Sequence, residues 1–169
     1  RLENHAIDMT FQVGRDYFHG SLRTLNDHRD EAFDLLGLAL TKPRFDADAV
    51  ERVRGQMMAM LRRETTNPNN LASRTWWRTA FPHHPYGRDA QGSLETVPHI
   101  AASDLRDYVR RAFARNELTV SIVGDIDAKT AGELIDHAFA GLPAKNDIKP
   151  IAAATPQGMG RRIVINLDV

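Results

Sequence analysis

The chain has seven histidines and no cysteine, which confines any protein-built metal site to imidazole and carboxylate ligands and excludes disulfides and cysteine nucleophiles. His83 and His84 are adjacent, so on a helix or a strand their rings diverge. Only Asp89 could reach back to them across a loop, and the pair reads as structural or surface. Asp104 with Asp107, and Asp125 with Asp127, are carboxylate pairs of the kind used for acid/base work. Each also falls where a helix begins, where free N–H groups and the helix dipole favour acids. Capping is therefore the reading adopted. Ser21, Ser73, Ser93 and Ser103 have no nucleophile-elbow context, and the glycines make no phosphate-cradling loop. Arg52, Arg54, Arg62 and Arg63 form a basic stripe, but Glu51 and Glu64 bracket it and no aromatic is interleaved for base stacking. Lys plus Arg equals Asp plus Glu at 22 each, so no net field draws a polyanion. The stripe reads as a solvated face, with no nucleic-acid partner.

These residues must be positioned by elements that the hydrophobic pattern outlines. In residues 7–25, Met9, Phe11 and Val13 alternate with Thr10 and Gln12, Gly14-Arg15-Asp16 supplies turn chemistry, and a second alternating run follows, which predicts a hairpin. From the capping residue Asn26, Phe33, Leu36, Ala39 and Leu40 recur at helical spacing until Lys42-Pro43, predicting a helix over 28–41. Asp46 or Asp48 then caps a helix with Val50, Val53, Met57, Met60 and Leu61 on its apolar stripe and arginines along its flanks. Asn67-Pro68 restarts the chain with a cap and an N1 proline, and Ala72, Trp76 and Ala80 follow along one side to about Phe81. After the loop PHHPYGRDAQGS, Ser103 caps a helix carrying Leu105, Tyr108, Val109, Ala112 and Phe113. ELTVSIVGD reads as a buried strand. Asp127 opens a helix with Ala131, Leu134, Ile135, Ala138 and Phe139 inward. Residues 141–160, with Pro143, Pro150, Pro156, Gly158 and Gly160, read as a connection, and RRIVINLDV as the start of a strand.

The 169 residues suffice for one ordinary core. No apolar run has the length of a membrane span or of a signal peptide's hydrophobic region. The first residue is Arg rather than Met, so the chain is expected to be an excerpt. Composition leaves the compartment open between periplasm and cytoplasm.

Three stretches, in one order, resemble peptidase family M16, the insulinase and mitochondrial processing peptidase group. ERVRGQMMAMLRRETTNP is similar to the family's E-R-x-R-x-x-x-x-x-E helix and the Asn-Pro start of the next helix. FPHHPYGRDAQGSLETVPHIAASDLRDYVRRAF resembles its His-Pro-Tyr-Gly block. NELTVSIVGDIDAKTAGELIDHAFAGLP resembles its strand-loop-helix with a Phe-Gly-x-x-Pro-like close.

The resemblance implies an α+β domain, an antiparallel-rich sheet with helices packed on one face. Residues 1–145 would be the major part of that domain without its N-terminal segment, 146–160 a linker and 161–169 the start of a following strand or second domain. Active members bind zinc through His-x-x-Glu-His and a distal Glu. No His-x-x-Glu-His occurs in this sequence, and aligning Glu51-Arg52 with the family motif brings Met60 onto the distal ligand position, with Glu64 as the other candidate. The implied role is the zinc-less half that completes the peptide chamber of a zinc metallopeptidase. It would pair with a second M16-like domain or subunit, as a homo- or hetero-dimer, and hold an extended peptide along Met9, Thr10, Phe11, Gln12 and Val13. No catalytic or metal-binding residue is then expected here, and zinc would belong to the partner or to an upstream segment. Two alternatives stay open: an active zinc metalloendopeptidase whose motif lies upstream, and a non-proteolytic assembly subunit.

Overall fold

In the computed structural model, residues 5–166 are described. The chain is α+β. It divides into two compact units, Arg1–Phe45 with Ser103–Lys149 and Asp46–Ala102 with Pro150–Val169.

The first unit starts with the hairpin of β1 (Asp8–Val13) and β2 (Phe18–Arg23), antiparallel in the register Asp8↔Arg23 through Val13↔Phe18. Residues 14–17 turn the chain, and the Gly14 N–H donates to the Tyr17 carbonyl at 2.8 Å. A three-residue 3-10 turn, Asn26–His28, leads into α1 (Arg29–Thr41), so Asn26 opens the turn and His28 stands at the helix N-cap. α4 (Ala102–Ala112) and α5 (Ala128–Phe139) complete the unit. Its core is Leu40, Ala138, Phe139 and Leu142, with Phe33, Leu36, Phe113 and Ile135 packed against it. α1 crosses α5 where both are small: a Cβ on Gly37 would stand 2.9 Å from the Ala138 carbonyl oxygen. On α5 the inward stripe runs as the periodicity predicts. Asp127 accepts from the Thr130 N–H at 2.9 Å, a side-chain N-cap.

Three expectations need correction here. α4 begins at Ala102, so Ser103 lies inside its first turn rather than at its cap. Tyr108 is exposed, and the stripe narrows to Leu105, Val109, Ala112 and Phe113. Residues 118–125 form no strand and are not buried: Val123 is 98% exposed. The β-branched run has no ladder partner among the described residues, and a strand forms only with one.

The second unit holds α2 (Ala47–Glu64) and α3 (Pro68–Ala80). Asp46 occupies the N-cap of α2 without a capping side-chain bond, whereas the Asn67 side chain accepts from the amides of Asn69 and Asn70 ahead of Pro68. Leu61, Ala80, Phe81 and Val97 are buried. Of the predicted row Ala72, Trp76 and Ala80 on α3, Ala80 is buried and Ala72 is exposed. Trp76 is exposed, and Trp77 stacks on Phe81 with ring centroids 5.4 Å apart. Tyr86 meets both rings edge-on. The Pro- and Gly-rich tail adds no regular element before residue 167, yet it is tied down. The Gln157 N–H donates to the Ala80 carbonyl at 2.8 Å, and Ala152 offers its carbonyl to His84. Residues 167–169, the end of the expected RRIVINLDV strand, lie outside the described residues, and 161–166 show no strand.

Candidate functional site

The residues expected to hold a peptide, Met9, Thr10, Phe11, Gln12 and Val13, are five successive positions of β1. Alternation sends Met9, Phe11 and Val13 to one face and Thr10 and Gln12 to the other. On the first face, Phe11 stacks diagonally on Phe18 at 5.5 Å, and Phe18 meets Phe113 at 4.7 Å. Gly20, directly opposite Phe11, leaves room for the ring: a Cβ there would stand 3.1 Å from Phe11 Cε1.

The backbone follows the same parity. The Gly14 N–H bond to Tyr17 makes Val13↔Phe18 a non-hydrogen-bonded pair. Alternation along an antiparallel ladder then makes Gln12↔His19, Thr10↔Ser21 and Asp8↔Arg23 the bonded pairs. The amides and carbonyls of Thr10 and Gln12 are therefore engaged with β2. Those of Met9, Phe11 and Val13 point away from it, along an edge with no strand partner among the described residues.

The zinc-ligand position of the family motif falls on α2. Met60, the aligned residue, is half-buried, and a thioether is a poor zinc ligand beside carboxylate oxygen. Glu64 is engaged elsewhere: Arg74 stands 3.6 Å away, and Arg74 and Arg78 both close on Asp89, at 3.2 and 2.7 Å. Neither position, in a chain without His-x-x-Glu-His, fits the family's zinc.

α2 departs from the predicted stripe at one turn. Val53 is exposed and Arg54 takes the inward place, its side chain 18% exposed. Its guanidinium donates to the carbonyls of Val97 and Ile100, each at 2.7 Å, and of Pro98 at 3.2 Å, while Glu51 holds the other edge at 3.1 Å. It thus gives donors to the carbonyls of Pro98 and Ile100 at the end of the 3-10 turn Val97–His99, and a second donor to that of Val97, which also accepts the Ile100 N–H at 3.3 Å. Arg52, Arg62 and Arg63 are exposed, as a solvated face requires.

The histidine pair separates as its adjacency implies. His84 Nδ1 accepts from the Tyr86 N–H at 3.1 Å, so Nε2 carries the proton and donates to the Ala152 carbonyl at 3.0 Å. Both ring nitrogens are thereby engaged. Asp125 receives the Asn26 amide at 3.4 Å and Asp107 binds Arg110 at 3.0 Å. The Asp127 carboxyl is held below its ordinary value, first by the Thr130 amide and then by the Thr130 hydroxyl. These contacts make the aspartates caps and surface partners rather than acid/base pairs. One grouping that sequence spacing did not single out is His5 with His28 and Glu31. His28 and Glu31 are three residues apart at a helix start, which was the available signal.

The chain is α+β, with an open hairpin edge and a helix on which Met60 takes the aligned ligand position. The family model described as "Peptidase M16 inactive domain" matches residues 99–169. The non-peptidase homolog YmxG of Helicobacter pylori is 28% identical over 142 residues, 84% of this chain and 33% of that protein. The mitochondrial-processing peptidase subunit beta of Neurospora crassa is 21% identical over 154 residues, 91% of this chain and 32% of that one. The crystal structure of a peptidase M16 inactive domain from Pseudomonas fluorescens superposes with a TM-score of 0.85 at 27% identity, over 91% of this chain and 38% of that chain. The chain is thus similar to peptidase family M16 proteins over most of its length, and residues 99–169 match that family's inactive-domain model. It spans about a third of the length of these relatives.

Proposed function

We propose that this chain is part of the zinc-less half of an M16 peptidase assembly, and that it holds an extended peptide by adding it as a strand to the outer edge of β1. The single observation that carries the reading is the parity of that edge, where the N–H and C=O groups of Met9, Phe11 and Val13 point away from β2. An added strand needs such groups more than particular side chains. The chemistry of α2 supports the non-catalytic part, since Met60 and an Arg74-bound Glu64 occupy the places where a ligand would stand. A relative that is itself a non-peptidase homolog agrees with it. Zinc and the hydrolytic residues then belong to a second M16 domain or subunit.

The test is cleavage of an extended peptide by the natural polypeptide carrying these residues, reconstituted with an M16 sibling that has His-x-x-Glu-His. Val13→Pro removes an outward donor and fixes φ at a strand end whose donor faces away from β2. It should weaken peptide capture several-fold with unchanged circular dichroism, while Val13→Ala leaves capture intact. Full cleavage by both variants would replace this reading with a non-proteolytic assembly subunit. Cleavage without any sibling would replace it with an active peptidase.

A further inference from the structure

The strongest unabsorbed feature lies at the start of α1. His28, at the N-cap, and Glu31, one turn on, share a face of the helix start, and the segment before β1 brings His5 against them. One ligand atom from each of the three lies within 4.8 Å of the others. His5 Nδ1 is hydrogen-bonded to Glu31 Oε2, and the His5 and His28 rings lie nearly parallel, 13° apart in plane with centroids at 4.5 Å. The His28 side chain makes no capping bond, so its ring is not committed to the helix.

We propose that His5, His28 and Glu31 bind a first-row divalent cation of the zinc type, at a site separate from the family's catalytic zinc. Two imidazoles and one carboxylate suit zinc, cobalt, nickel or copper rather than magnesium or calcium, which take oxygen ligands. Tetrahedral ligands about 2.0–2.1 Å from an ion lie about 3.4 Å from one another. A pair at the 4.8 Å limit therefore needs to close by about 1.4 Å, while the hydrogen-bonded His5 and Glu31 atoms must move apart to admit the ion, both within reach of side-chain rotation. The His5 and Glu31 side chains are 36% and 31% exposed, so an ion enters from solvent and a water completes the fourth position. The positive end of α1 opposes a cation, but Asp27 and Asp30 flank Glu31 there, with Arg29 turned onto Asp30 at 3.5 Å. Binding breaks the His5–Glu31 hydrogen bond: each atom turns its lone pair to the ion, and the single proton of the neutral His5 ring sits on Nε2.

The test is calorimetric titration of the metal-free full chain with Zn²⁺, repeated with Co²⁺ to read its visible ligand-field bands. One ion per chain is expected. Glu31→Gln and His28→Ala should each weaken binding on the order of tenfold to a hundredfold, with circular dichroism unchanged. His137→Ala, at the exposed His137–Asp34 pair, should leave binding as it is. Equal binding by wild type, Glu31→Gln and His28→Ala, or no binding by the folded wild type, overturns the site. No peptide is involved, so this result is independent of the reading of β1.

Discussion

Arg54 shows how a residue's place is decided by what it can satisfy rather than by its hydropathy. Two rows run along α2 at helical spacing, 50-53-57-60 and 50-54-57-61, and hydropathy selects the first because Val53 is apolar. The structure selects the second, since the carbonyls of Pro98 and Ile100 need donors, that of Val97 can accept a second, and a guanidinium supplies all three in one fork. Arg54→Met keeps the stem and removes the donors, leaving these carbonyls short of partners. A loss of about 1–3 kcal/mol is expected, read as a drop in the urea midpoint at unchanged slope. An unchanged midpoint would mean water replaces the guanidinium at no cost. The same ambiguity explains Trp76 and Trp77, where spacing admits either row and only the ring stack on Phe81 settles which turns inward.

At the scale of elements, helices were legible wherever a cap and a stripe agreed. Asn67-Pro68 and Asp127 fixed two helix starts, and the alternation of Met9, Phe11 and Val13 fixed β1. What escaped was whatever depends on a partner distant in sequence. ELTVSIVGD has strand composition, but a strand exists only with a neighbour. His5 meets His28 only through the fold. The parity of β1 was likewise invisible, because alternation tells which side chains share a face and the turn bond from Gly14 tells which amides face β2. The Pro85–Gly87 turn carries a sharper prediction. A Cβ on Gly87 would lie 2.1 Å from the Phe81 carbonyl oxygen, so Gly87→Ala must push the turn away from α3. It should cost about 1–3 kcal/mol and lower the melting temperature, with near-ultraviolet dichroism reporting loosened packing of Trp77 on Phe81. For α5, the Thr130 amide and hydroxyl hold the Asp127 carboxyl below its ordinary value. A folded-state value depressed in this way contributes stability above the unfolded value, and the contribution is lost as pH falls through the folded one. Acid titration should therefore loosen the first turn of α5, seen as faster exchange of the Thr130 amide below about pH 4, and Asp127→Asn should flatten that dependence.

For the whole molecule, composition excluded more than it assigned. Balanced charge leaves no net field toward a polyanion and the lack of cysteine removes thiol chemistry, while no helix among the described residues is long and apolar enough to cross a membrane. The family resemblance came from three motif blocks in order, and the fold gives two of them physical content: Gly87 because only glycine fits under the Phe81 carbonyl, and Asn67-Pro68 because it caps α3. The central claim is that the outer edge of β1 receives a peptide strand. Residue-resolved amide exchange, on the protein alone and with an extended peptide that the zinc-bearing sibling cleaves, tests it most directly. Alone, the amides of Thr10 and Gln12 should be protected by β2, and those of Met9, Phe11 and Val13 should exchange fast. With peptide, those three should slow together. If Met9, Phe11 and Val13 are already protected without peptide, or stay fast when peptide is bound, the edge is not the peptide's seat.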